Sequence, residues 1–239
     1  MRLSRVVVEE TDVFPRRVAE WLAETMASTV AAGGHCTIAL SGGGTPRPVY
    51  AALAAPGLAS GIDWRKIDVY FGDERAVPPD DRDSNYRMAT DALLSHVPIP
   101  ESRVHRIEAE RRDLDAAVDA YAQALPAALD VLVLGMGADG HTASLFPDSP
   151  ALSERRRRVV VVTSPKAPRQ RVTITPPVIA AARQVVMLVT GGEKAAVVAR
   201  ALDADAPPPS QVPAVLARPP HGVWFLDSAA AARLARPVP

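Results

Sequence analysis

Two residues with complementary chemistry, Asp139 and His141, lie in the stretch Gly135-Met-Gly-Ala-Asp-Gly-His141, directly after the apolar run Val131–Leu134. A histidine held by a carboxylate is fixed in one tautomer and can act as a general base near neutral pH. Glycines at 135, 137 and 140 let the backbone take positive φ and approach a ligand closely. Taken locally, the competing role for this pair is a loop hydrogen bond without chemistry. No second histidine or cysteine stands at ligand spacing, so a metal site is not expected.

A second glycine loop, Ser41-Gly-Gly-Gly-Thr-Pro46, joins a strand-like run to a helix start. Its free amides and the helix dipole suit an anion. It is not a Walker A loop, since no Lys-Ser/Thr pair follows. Gly135-Met-Gly-Ala-Asp-Gly140 matches the dinucleotide fingerprint G-x-G-x-x-G on paper. Pro147 leaves no room for the required helix, and no acid closes the next strand, so NAD binding is rejected. Asp73-Glu-Arg75 also follows a strand and opens a polar loop through Asp83, from which it can face the same crevice or lie as an exposed charged loop. Lys166, Arg169 and Arg171 form a basic group suited either to a sugar phosphate or to a solvated surface. The acidic loop Asp80-Asp-Arg-Asp83 and the run Arg155–Arg158 read as solvated surface. His35, His96, His105 and His221 each stand alone near an element boundary, where a structural role is expected.

These residues need a scaffold. The spacing predicts strands at Arg5–Glu9, Thr37–Leu40, Ile67–Phe71, Val131–Leu134, Val159–Val162, Arg171–Thr175, Val185–Val189 and Val223–Leu226, with a short one at Val104–Ile107. Helices are predicted at 16–30 with Asp12 as cap, after Pro46, at 85–94 with Ser84 as cap, at 114–125, from Pro176-Pro177, and at 193–202. Strands alternating with helices predict a three-layer αβα sandwich around a mostly parallel sheet. No linker divides the 239 residues, so a single domain over 1–239 is expected. Formal net charge is zero and the pI is about 7.0, which gives no global field for nucleic acid or a membrane surface. The single cysteine, Cys36, sits in a strand-like run and reads as a small buried hydrophobe. No signal-peptide core and no run of ~18 apolar residues is present, and a soluble, cytoplasmic protein is expected.

As an ordered set, the motifs resemble the 6-phosphogluconolactonase family. The matching stretches are Ser41–Pro46, Phe71-Gly-Asp-Glu-Arg-Ala-Val-Pro78 with Ser84-Asn85, Gly135–Asp148, Ser164-Pro-Lys-Ala-Pro168 and Arg171-Val-Thr-Ile-Thr175, spanning roughly residues 36 to 195. The resemblance implies a Rossmann-like sandwich shared with glucosamine-6-phosphate deaminases and ribose-5-phosphate isomerases. It further implies hydrolysis of 6-phosphogluconolactone in the oxidative pentose phosphate pathway, without metal or organic cofactor. By the same resemblance His141 is the base that activates water and Asp139 orients its ring. Gly42, Gly43, Gly44, Thr45, Asp73, Arg75, Lys166 and Arg171 are then expected to hold the sugar-phosphate lactone, with the phosphate and oxyanion partners left open among them. Oligomeric state is left open too.

Two rivals remain at this level. Glucosamine-6-phosphate deaminases resemble the chain at the glycine loop and at Asp-Gly-His, but their loop after the histidine generally carries a glutamate. Thr142-Ala-Ser-Leu-Phe-Pro147 has no acid, and Arg75 stands where deaminases usually place an aromatic. A non-catalytic sugar-phosphate sensor would usually carry a DNA-binding helix-turn-helix, and the residues before the first glycine loop leave no room for one. Both Asp139 and His141 are also present, so the lactonase reading is favoured.

Overall fold

The computed structural model describes residues 5–218 and 222–234. In chain order the elements are β1 (Arg5–Glu9), α1 (Phe14–Gly33), β2 (Cys36–Leu40), α2 (Pro46–Leu53), a single turn α3 (Pro56–Ala59), β3 (Ile67–Phe71) and β4 (Asp73–Arg75). There follow α4 (Asn85–Ala92), α5 (Leu114–Ala124), β5 (Val131–Gly135), β6 (Val159–Thr163), β7 (Gln170–Ile174), α6 (Pro176–Ala181), β8 (Gln184–Val189), α7 (Ala195–Leu202) and β9 (Gly222–Asp227). His221 lies outside the described residues.

Six strands form one parallel sheet in the order β1-β9-β8-β5-β2-β3. Its central strands are apolar on both faces: β2 is buried at all five positions and Val131 to Leu134 of β5 likewise. That is the composition of a sheet covered by helices on both sides. Right-handed crossovers then fix the layers. The chain moves one way across the sheet from β1 to β2 to β3, placing α1 and α2 on one face, where they pack together with α4. It moves the other way from β5 to β8 to β9, placing α6 and α7 on the opposite face. The expected three-layer α/β arrangement is what the chain adopts.

Four local expectations are corrected. Asp12 does not cap α1: Val13 is the cap residue, and the N–H groups of Val13 and Phe14 donate to Glu10 O at 3.0 and 2.9 Å. Pro15 removes a further donor, so little is left for a side chain to cap. Residues 73–75 are a strand and not loop, and β4, β7 and β6 make a second, antiparallel three-stranded sheet. Val104 makes only a single bridge to Val69, because Arg103 and His105 tie this segment down through their side chains on Asp68, at 2.7 and 3.0 Å. In the arginine run, Arg158 turns inward and donates to Leu125 O at 2.9 Å and to Pro126 O, satisfying carbonyls at the end of α5. The other three stay exposed around Glu154. Ser84 does cap α4, accepting from Arg87 N at 3.1 Å. Cys36 is fully buried, and burial pushes its thiol up to about 12, which leaves it a packing residue.

Candidate active site

β2 and β5 are neighbours, yet the chain leaves them toward opposite faces of the sheet. Such a point opens a crevice at the carboxyl ends of the strands, where open α/β sheets hold ligands. Here the crevice is bounded by Ser41 to Pro46 after β2 and by Gly135, Met136, Gly137, His141 and Ala143 after β5. The small sheet closes it with Asp73 and Arg75 from β4 and Arg171 from β7, and Asn85 and Lys194 complete the lining.

Asp139 and His141 form a bonded pair. Nδ1 of His141 lies 2.5 Å from Asp139 Oδ1, and the same oxygen accepts from the His141 amide at 3.1 Å. An ionised carboxylate only accepts, so Nδ1 is the donor and Nε2 is the ring nitrogen that Asp139 leaves unengaged. Phe146 packs against the ring, with centroids 4.7 Å apart. The loop is closed on itself by Gly137 N donating to His141 O at 3.0 Å and Thr142 Oγ1 donating to Gly135 O at 2.9 Å. Gly140 takes φ +82° to make the turn. Burial pushes the Asp139 carboxyl up, but the hydrogen bond from His141 and its charge outweigh this and hold it below the ordinary aspartate range. A carboxyl depressed on folding keeps its interaction above the unfolded value, near 3.9, and loses it as pH falls through the folded value. The Asp139 carboxylate should therefore stay ionised down to about pH 4; a carboxyl carbon resonance of Asp139 that titrates between pH 5 and 6 would contradict the pairing.

Opposite the histidine lies positive charge. Arg75 and Arg171 are cross-strand partners in the β4–β7 ladder, where like charges directly opposed are unfavourable. Burial lowers the Arg171 guanidinium most, and Arg75 lowers it further, against the opposing pull of Asp73, Glu74 and Asp83. Arg75 donates to Asp83 O, and its buried Nε has no partner among the described residues. Lys194 is half-buried and its ammonium is lowered by desolvation. The amides of Gly43, Gly44 and Thr45 find no backbone acceptor among the described residues, and Pro46 opens α2 beside them. Three cations and a set of free amides on one crevice make an anion site.

A buried acid holds this wall together. Glu74 accepts from Arg75 N, Asn85 N and Tyr86 N at 2.8, 2.7 and 2.8 Å, and from Ser84 Oγ at 3.0 Å. It thus docks the N-terminus of α4 onto β4. Burial nevertheless raises its carboxyl above the ordinary value. Asn85, so placed, donates to Asp73 O at 2.8 Å and Asp73 Oδ1 at 3.0 Å. Its amide occupies the space a side chain at position 42 would need: a Cβ there would meet Asn85 Oδ1 at 1.7 Å.

Of the residues singled out from sequence, Gly42, Gly43, Gly44, Thr45, Asp73, Arg75, His141 and Arg171 all line the one crevice, with Asp139 directly behind the histidine. Lys166 does not: it is exposed in the β6–β7 hairpin and absent from the lining, while Arg169 faces a separate groove beside Phe146. Lys194 takes the position Lys166 was expected to fill. Gly191-Gly-Glu-Lys194 repeats the pattern of a glycine turn after a central strand, and that was the signal available. Asn85 and Ser144 carry no comparable mark, because their roles are contacts made by distant segments. His35, His96 and His105 stay outside the crevice. Among the described residues no three His, Cys, Asp or Glu side chains group closely enough to hold a metal ion.

A family model described as glucosamine-6-phosphate isomerases/6-phosphogluconolactonase matches residues 9–226. The chain is 45% identical over 134 residues to a 6-phosphogluconolactonase of Synechocystis sp., covering 52% of this chain and 54% of that protein. It is 40% identical over 167 residues to a 6-phosphogluconolactonase of Mycobacterium tuberculosis, covering 64% and 67%. The matched stretch thus spans about half the length of the first relative and two thirds of the second. Among solved structures, 6-phosphogluconolactonase from Trypanosoma cruzi superposes with a TM-score of 0.84 at 31% identity, covering 98% of this chain and 97% of that one. A monomeric glucosamine-6-phosphate deaminase, 21% identical with a TM-score of 0.83 over 95% and 99% of the two chains, shares the fold. With the family model running from Glu9 to Leu226, through every strand and loop that builds the crevice, the chain belongs to the glucosamine-6-phosphate isomerase/6-phosphogluconolactonase family.

Proposed function

We propose that the protein hydrolyses 6-phospho-D-glucono-1,5-lactone to 6-phosphogluconate, the oxidative pentose phosphate step, with His141 as general base. The observation that carries this reading is the bonded Asp139–His141 pair opening onto a crevice lined by Arg75, Arg171 and Lys194. The phosphate is assigned to these cations with the Gly43–Thr45 amides, and Asp73 to a sugar hydroxyl. Nε2 of His141 takes a proton from water as its oxygen bonds to the lactone carbonyl carbon. The tetrahedral intermediate then collapses, breaking the bond to the ring oxygen, which receives the proton back from Nε2. Water's atoms are thereby divided between a new carboxyl and a new hydroxyl. His141 serves as base in the first transfer and, protonated, as acid in the second, so the reading calls on no metal or organic cofactor.

Residues 1–239 are treated as one domain, since the buried apolar side chains of both sheets join in one cluster. A phosphorylated substrate does not cross membranes unaided, so the enzyme is proposed to work in the compartment where the lactone is made, taken as the cytoplasm. No helix among the described residues is long and apolar enough to span a membrane.

The test is a coupled assay with freshly generated phospholactone, set against glucosamine-6-phosphate and an enzyme-free control for spontaneous opening. Turnover of the lactone alone is expected; turnover of the amino sugar alone would overturn the reading. Replacing Arg75 by Gln removes a charge-assisted contact worth about 1.5–3 kcal/mol. KM should rise roughly ten- to hundredfold with a smaller change in kcat, and an unchanged KM would remove Arg75 from the phosphate site.

A further inference from the structure

The base and the two arginines stand on different sheets. His141 follows β5 of the parallel sheet, whereas Arg75 and Arg171 lie on β4 and β7 of the antiparallel one. Ser144 joins them. Ala143 takes φ +47°, a conformation that turns the chain sharply and carries Ser144 into a fully buried position three residues after the histidine. There Ser144 Oγ donates to Asp73 Oδ2 at 2.6 Å, and its amide donates to Thr173 Oγ1 at 3.2 Å. Asp73 and Thr173 are cross-strand partners, two residues along from the Arg75–Arg171 pair in the same ladder. One buried residue thus ties the histidine loop to both strands that carry the arginines, through its hydroxyl to β4 and through its amide to β7.

Resting on the lactonase reading, we propose that Ser144 is a positioning residue that fixes the span between the His141 base and the Arg75–Arg171 anion site, so that the enzyme selects phosphorylated lactones by the distance from phosphate to reacting carbonyl. A rigid span rewards the substrate that fits it, since displacement by about 1 Å can cost on the order of 10² in rate. The hydroxyl touches no reacting atom. It acts through Asp73 and the loop.

The experiment compares wild type, Ser144→Ala and Thr173→Val on the six-carbon phospholactone and on a phosphorylated aldonolactone one carbon shorter. Thr173→Val keeps the shape of its site and removes the second tie, together with the hydrogen bond from Thr173 Oγ1 to Ile174 O, so it serves if Ser144→Ala does not fold. For either variant, kcat on the six-carbon lactone should fall about tenfold or more with KM within about twofold, and the preference over the shorter lactone should shrink. A purely structural role would scale both substrates alike, and an unaltered preference in a folded variant overturns the proposal. A second arm titrates inorganic phosphate while the His141 ring is followed by NMR. Both variants should bind phosphate as wild type does but show a ring response cut by at least half; an undiminished response also overturns it. If wild type fails to turn over the lactone, the functional reading falls, and this second arm still decides the role of Ser144.

Discussion

Replacing His141 by alanine is expected to lower kcat/KM for the phospholactone by about 10²–10⁴, the range for a lost general base. The loss should fall on kcat, because the arginines, Lys194 and the glycine loop proposed to hold substrate are on other segments of the crevice. The ring is partly exposed and bonded only to Asp139, so the melting temperature should stay within a few degrees of wild type. Spontaneous opening of the lactone sets a floor, and rates must be taken above it. Wild-type turnover in this variant would remove His141 from the mechanism. Added imidazole offers a second reading: partial recovery of rate is expected, since the vacated side-chain volume opens directly on the crevice.

Gly137→Ala should be nearly as damaging although it replaces neither His141 nor Asp139. A Cβ at this position would lie 2.2 Å from the His141 ring and 2.6 Å from Asp139 Oδ1, distances no pair of heavy atoms tolerates. The loop cannot relax toward the crevice while Gly137 N and Thr142 Oγ1 hold it. The ring and carboxylate must therefore separate, and Nδ1 loses the partner that fixes its tautomer. A fall in kcat of about a hundredfold is expected, consistent with displacement of a reacting group by about 1 Å. The corresponding change at Gly43 tests the specificity of this effect. Its Cβ would meet nothing within 4 Å, so damage there would come from its φ of +105° alone. Full activity in Gly137→Ala would show that the pairing with Asp139 is dispensable.

Much of the scaffold was legible because buried parallel strands are continuous apolar runs and helices show their period. The Asp139–His141 pair was legible because its partners are two residues apart in one loop. What failed was non-local. Asp73 to Arg75 has the composition of an exposed turn, and only pairing with a strand a hundred residues later makes it β4. Lys166 sits in a motif of the right type but in a hairpin that points away, and nothing in its neighbours reveals the direction. Lys194 was hidden inside a predicted helix, although the chain first makes a tight turn at Gly192–Lys194 and starts α7 only at Ala195. Arg158 differs from the three arginines before it solely through carbonyls of α5 that the sequence does not bring near.

The opposed arginines of β4 and β7 also have a thermodynamic side. Two cations facing each other in a ladder oppose folding, and an anion bound between them relieves that opposition only in the native state. Binding and folding then draw on the same interaction, and the protein's heat resistance becomes a function of solute concentration, rising by RT ln(1 + [L]/Kd). At 100 times Kd this amounts to about 2.7 kcal/mol, so with the proposed substrate as that anion, stability in a cell would follow the supply of phosphorylated sugar.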